Sequence, residues 1–140
     1  MSLYFCVLLS ATPAEAGSTD RPDKFSSCPD SPNCVSSQST DKARFIEPLH
    51  YIGSLADARQ KLIDILESTK RVRLAKVEMD YIHAEFRSLI FRFVDDVIFF
   101  FPPDKTIIHV KSASRKGYYD FGANRRRVER LRAEFEKLAK

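Results

Sequence analysis

The chain has 140 residues, 44% hydrophobic and 30% charged, with a formal net charge of +4. These values are ordinary for a single soluble globular domain, and the charge is too small to diagnose a nucleic-acid binder. No apolar run is long enough to span a bilayer, and eleven phenylalanines with no tryptophan predict a core filled by Phe.

The N-terminus reads as a secretory signal over residues 1–16. The apolar run Leu3–Leu9 is followed by Pro13 and then Ala14-Glu15-Ala16, the small-x-small layout of a cleavage site. The run is short and no Lys or Arg precedes it, which a start codon lying upstream would explain; the competing reading is a peripheral, disordered terminus. Cleavage after Ala16 removes one acid, Glu15, and takes the formal charge from +4 to +5. The expected location is the periplasm or cell envelope. Export removes Cys6 and leaves Cys28 and Cys34 as a pair, which in an oxidising compartment reads as a disulfide. Closing so short a loop contributes about 2 kcal/mol in the chain-entropy model. The pair is not spaced as a zinc knuckle and has no second pair beside it, so no metal or cofactor is expected.

Residues 17–44 carry Pro22, Pro29 and Pro32 among many Ser and Asp residues and predict an irregular arm. The α+β domain is expected over 45–140. Phe45–Leu49 reads as a short edge strand limited by Pro48. Ser54, with Asp57 three residues on, starts a helix whose apolar face is Leu55, Ala58, Leu62, Ile65 and Leu66, ending near Lys70-Arg71. Val72–Met79 is β-prone with an alternation that slips near Lys76. In Tyr81–Ser88, the apolar set Ile82, Ala84 and Phe86 alternates with His83, Glu85 and Arg87. Phe91, Phe93, Val97, Phe99 and Phe101 share a period-two face with Asp95 as its polar intruder, so Asp95-Asp96 reads as a bulge or a tight turn. A turn at Pro102–Lys105 precedes a last strand from Thr106 to Ser112.

The segment from Ser112 to Arg127 carries most of the information. It runs through a glycine-containing loop into a terminal helix that opens on Arg125-Arg126-Arg127, where the helix dipole disfavours cations. Those arginines need a compensating anion, from the protein or from a ligand. Phe121, Val128, Leu131, Phe135 and Leu138 form the helix stripe, and Asn124 occupies one slot of it. A buried amide there must be satisfied, so Asn124 either caps the helix or ties the loop to the sheet.

The order strand, helix, four antiparallel strands, helix (β-α-β4-α) predicts a curved sheet packed on the long C-terminal helix. As architecture it resembles the TATA-binding-protein-like and helix-grip folds, an analogy that assigns no function.

Four segments together resemble a known family. They are Cys28–Ser37, Tyr81–Ser88, Phe91–Val97 and Ser112–Arg127, in that order, and they resemble the domain of unknown function 1499 family (DUF 1499) from Cys28 to the C-terminus. The resemblance implies a small protein of bacteria and plastid-bearing organisms, often with an export signal or membrane segment. It implies no established catalytic activity. Tyr119 departs from the small polar residue that similar proteins often carry.

Three functional classes follow. The first is non-catalytic binding of an anionic small molecule or lipid, or of an envelope protein partner. Its expected site is the Arg-rich loop end, formed by Ser112, Ser114, Arg115, Tyr118, Arg125, Arg126 and Arg127. Internal pairing with Glu85, Asp95, Asp96 or Asp120, or along the helix, is the favoured account for at least one helix arginine, with Asn124 in the same network and Arg115 reserved for a ligand. The second class is a hydrolase using His83 and the Asp95/Asp96 pair, although no catalytic motif supports it. The third is a single-strand nucleic-acid binder using Tyr118 and Tyr119, which interleaved glutamates and export argue against. A pocket joining His83 to the aspartates would favour the enzyme, whereas an apolar groove beside the terminal helix would favour binding.

Overall fold

The structure is a computed structural model that describes residues 28, 29 and 31–138. The expected signal segment and cleavage after Ala16 lie outside the described residues. The elements in chain order are β1 (Cys34–Ser36), β2 (Leu49–His50), α1 (Leu55–Ser68), β3 (Val72–Val77), β4 (Tyr81–Arg87), β5 (Val94–Phe100), β6 (Ile107–Ser114) and α2 (Ala123–Lys137). The six strands form one antiparallel system in the order β1-β6-β5-β4-β3, with β2 also pairing β6.

Strand alternation divides the sheet into two unlike faces. Ile82, Ala84, Val97, Phe99, Ile108 and Val110 are fully buried and meet Leu62, Leu66, Val128, Leu131 and Phe135 of the two helices in one core. The α+β architecture is thus a sheet with both helices on one side. Among the described phenylalanines, Phe99, Phe101 and Phe135 are the ones that rank with the largest fully buried side chains. The rest of the buried core is mainly aliphatic, with Phe86 and Tyr51 packed against it, while Phe91, Phe93 and Phe121 lie in connections rather than in elements.

Local chemistry explains the boundaries. The Ser54 hydroxyl accepts from the Asp57 amide at 3.0 Å and caps α1. The β3–β4 register shifts between Leu74 and Lys76, at the slip in the sequence pattern. The Asp95-Asp96 irregularity does not occur: both residues sit in unbroken pairing with β4 and β6. Asp95 keeps the inward phase because its charge is answered from α2, so neither bulge nor turn is needed.

The observed element order has one strand more than expected. Cys34–Ser36, within the stretch expected to be irregular, pairs with Lys111–Ala113 at the sheet edge. The strand expected at Phe45–Leu49 begins only at Leu49, and Phe45 contributes an isolated bridge to Ser36. Pro48 has no N–H to donate. Cys28 and Cys34 are joined by a disulfide, which anchors the start of β1.

Candidate ligand-binding end of the sheet

The amide of Asn124 organises the end of the sheet where α2 begins. Completely buried, it receives the Ser112 hydroxyl and an Arg127 N–H on Oδ1, at 2.6 and 2.7 Å. Its Nδ2 faces the Asn33 carbonyl at 3.0 Å, the Ser114 Oγ at 2.9 Å and the Asp120 carboxylate at 2.8 Å. Asn124 therefore ties the loop to the sheet, and helix capping falls to Asp120. The Asp120 carboxylate accepts from the backbone amides of Gly122 and Asn124. Burial alone would push its carboxyl up, but those amides and the Asn124 side chain prevail and hold it below the ordinary carboxylate value. Gly122, at the N-cap with φ of 78°, takes a left-handed conformation that L side chains resist.

The three arginines of the first turn of α2 find three different partners. Arg127 forms an ion pair with Asp95, both side chains nearly buried, and lies over the Phe86 ring at 5.1 Å. Arg125 donates to the carbonyls of Ala43 and Phe45, at 3.0 and 2.9 Å. Arg126 donates to the Phe121 carbonyl at 2.6 Å. Along the helix, Arg132 meets Glu129, one turn back, and also donates to the carbonyls of Glu47 and Pro48.

On the opposite face of the sheet, Arg115 bridges two carboxylates. Its guanidinium reaches Asp96 at 2.7 and 2.8 Å and Glu85 at 2.7 Å; Glu85 also takes Arg73 at 2.7 Å, and His83 Nε2 lies 2.6 Å from Asp96. Burial opposes the charge on Asp96, yet hydrogen bonds from Arg115 and His83 hold its carboxyl below the ordinary value. Hydrogen bonds from Arg115 and then Arg73 lower Glu85 likewise, and Asp96 and Glu85 together raise Arg115. His83, Glu85 and Asp96 present ligand atoms within 4.8 Å of one another, the one such group of metal-ligating side chains among the described residues. Arg115 and Arg73 together already balance the two carboxylates, so a divalent ion would have to displace Arg115 to enter.

The structure thus separates the residues expected to act together. Asp96 meets His83 on the open face, while Asp95 points to α2. Ser112, Ser114, Arg127 and Asn124 converge in one buried network, Arg115 lies on the other face, and Tyr118 is exposed in the β6–α2 loop against the edge of the Tyr119 ring. His109 belongs elsewhere again, with Nδ1 3.1 Å from the Ser37 hydroxyl and its ring stacked on Phe100.

A groove of about 490 Å³ opens beside α2, between Thr69–Arg71, the end of β4 and the helix. Phe86, Leu131 and Ala133 supply its apolar surface, and Lys70, Arg71, Arg87, Arg127 and Arg130 its cations. Glu134 is the single acidic residue lining it. Apart from Arg127, none of these basic side chains has a hydrogen-bonding or ionic partner among the described residues. Of the residues proposed from sequence only Arg127 lines the groove. Lys70, Arg71, Arg87 and Arg130 were missed because they come from three separate segments and form a cluster only after folding.

The chain matches the family described as a protein of unknown function (DUF1499) over residues 24–135, and it belongs to that family. Neither a curated protein nor a solved structure matches it.

Proposed function

We propose that this member of the DUF1499 family is a non-catalytic binding protein of the cell envelope, reached by export, whose ligand is a small anionic amphiphile. The groove beside α2 carries the reading. Four cations without a partner among the described residues, Lys70, Arg71, Arg87 and Arg130, surround the apolar surface of Phe86 and Leu131. An acidic head group on the basic rim and an alkyl or aromatic body over Phe86 would use both chemistries at once. The helix arginines are engaged with the protein's own acceptors, which supports ligand recognition at the groove rather than at the helix start. Of the hydrolase alternative there remains one pair, His83–Asp96, already bonded to Arg115.

The test is thermal melting with dodecyl phosphate below its micelle concentration. Ligand that binds only the folded state stabilises it by mass action. The midpoint should rise with dodecyl phosphate, much less with inorganic phosphate, and not with a dodecyl ammonium salt. Arg87→Glu combined with Arg130→Glu should abolish the rise. Equal shifts in the double variant, or from the cationic amphiphile, would overturn the assignment.

A further inference from the structure

We infer that the end of the sheet carrying the β4–β5 and β6–α2 connections is a docking surface for an anionic lipid bilayer. The surface shares Lys70, Arg71 and Arg87 with the groove, but its apolar contact is made by residues outside the groove. Two loops hold seven of the exposed large hydrophobic residues: Leu89, Ile90, Phe91 and Phe93 in one, and Tyr118, Tyr119 and Phe121 in the other. Ile90 is 80% and Phe121 88% exposed, so these side chains contribute little to the core. The loops are neighbours, because β5 lies between β4 and β6: Asp95 pairs with both Phe86 and Ser114, and the Arg115 amide donates to the Val94 carbonyl at 3.1 Å.

Backbone geometry also sets this end apart. Arg92 and Phe121 both have φ of 52°, in the left-handed region that non-glycine residues seldom adopt. Phe121 gains no burial there. A residue held in an unfavourable conformation, with its ring in water, points to a use outside the fold.

Charge names the occupant. Arg71 and Arg87 stand at the strand ends behind the apolar tips, Arg92 and Lys116 lie within the two connections, and Lys70 is adjacent to Arg71. None of these five side chains has an acidic partner among the described residues. The opposite end of the sheet carries Glu78, Asp80 and Asp104 near its turns, with Lys105. Tyr and Phe favour the boundary between head groups and acyl chains, and Lys and Arg near it are drawn to anionic lipid. Apolar tips ahead of a basic collar match the depth order of an acidic bilayer surface. A zwitterionic surface would use the tips but not the collar.

Vesicle sedimentation of the full chain tests the docking. Vesicles of phosphatidylcholine with phosphatidylglycerol should retain the protein at least tenfold better than phosphatidylcholine alone, and 1 M salt should remove most of that advantage. Ile90→Ser with Phe91→Ser and Phe121→Ser should lower partitioning at least tenfold while leaving the melting midpoint in place. Met79→Ser, an exposed apolar residue at the opposite end, should change neither. The apolar run at 3–9 is common to all variants and cancels. Arg130→Glu, which lines the groove, separates the two proposals: it should weaken amphiphile binding and spare vesicle binding. Undiminished partitioning of the tip variant would overturn the docking surface. So would a dimer in vesicle-free solution that the tip variant converts to monomer, since the surface would then join two copies.

Discussion

Asp95 and Asp96 are consecutive residues of one strand, and each binds an arginine from outside it. Strand alternation sends Asp95 toward α2, where it and Arg127 are about 11% and 12% exposed, and Asp96 to the open face, where it and Arg115 are 26% and 45% exposed. The chemistry is the same and the surroundings differ. In the first pair both charges have lost most of their water, so each depends on the other, and Arg127 also on Ser112 and Asn124. The second pair keeps partial solvation, and its energetic contribution is correspondingly screened. Arginine–carboxylate contact therefore says little about importance until the face of the sheet is known.

The sharpest way to break the comparison is to remove one guanidinium from each face. Arg127→Ala leaves Asp95 nearly buried and uncompensated, and should cost about 3 kcal/mol in urea denaturation, the low end for breaking a buried pair. A loss below about 1 kcal/mol would mean that water reaches Asp95 and that the two pairs are alike.

Asn124→Leu addresses the same interior without touching a charge. It removes the acceptor of Ser112 and Arg127 and the donor to Asn33, Ser114 and Asp120, so a loss of about 2 kcal/mol is expected despite the added hydrophobicity. An unaltered urea midpoint would show that the pocket rearranges to satisfy those groups.

Replacing Cys28 and Cys34 together by Ser should cost about 2 kcal/mol by the chain-entropy estimate. Thiol labelling of the parent protein should find neither cysteine free. Two reactive thiols in oxidised, exported protein would refute the bond, and with it the anchoring of β1.

Arg115→Ala should give the smallest change at neutral pH, about 0.5 kcal/mol, and its signature lies in acid. The carboxyls of Glu85 and Asp96 sit below their ordinary values in the folded protein. Just below those ordinary values the unfolded chain binds more protons, so stability rises with pH there. The contribution is complete above the ordinary carboxylate range near pH 4 and fades as pH falls through the lowered values. Arg115→Ala should flatten this acid limb, while the part due to Asp120 persists. His109, lowered by burial and by Lys105, adds a separate rise toward its ordinary value near pH 6.5. An acid limb identical in parent and Arg115→Ala would remove the open-face cluster from the account.

Much of the fold was legible because it rests on local rules. Ser54 with Asp57, the slip before Lys76, and the alternation of Ile82, Ala84 and Phe86 each report a backbone geometry within a few residues. Cys34–Ser36 could not be read as a strand, since its pairing partners stand more than seventy residues away on β6 and nothing nearby distinguishes it from a turn. Phe91 and Phe93 misled for the converse reason: their period-two spacing continues that of Val97 and Phe99, but the chain has already left the sheet. At the site, the Arg cluster and Asn124 were visible as local conflicts with the dipole and the apolar stripe. The division of Asp95 from Asp96 required the absolute phase of the strand, and the groove required three distant segments to meet.

The bonds from Asn124 and Ser114 to the Asn33 carbonyl have a consequence for the order of assembly. They join residues 91 and 81 positions apart, whereas β3, β4 and β5 each pair with the next strand in the chain. Closing a segment of about 90 residues costs about 4 kcal/mol in loop entropy on the Jacobson–Stockmayer scaling, against about 1.6 for a six-residue hairpin connection. The meander can therefore form by successive short closures, and the junction of β1 with the start of α2 is a late event that fastens the two ends of the described chain. Native-state hydrogen exchange should place the amides of Ser114 and Asn124 in one opening unit with β1. That unit joins the disulfide-bound end of the domain to the head of its last helix, so a cut or a reduction near Cys28 would be felt across the sheet at Arg127.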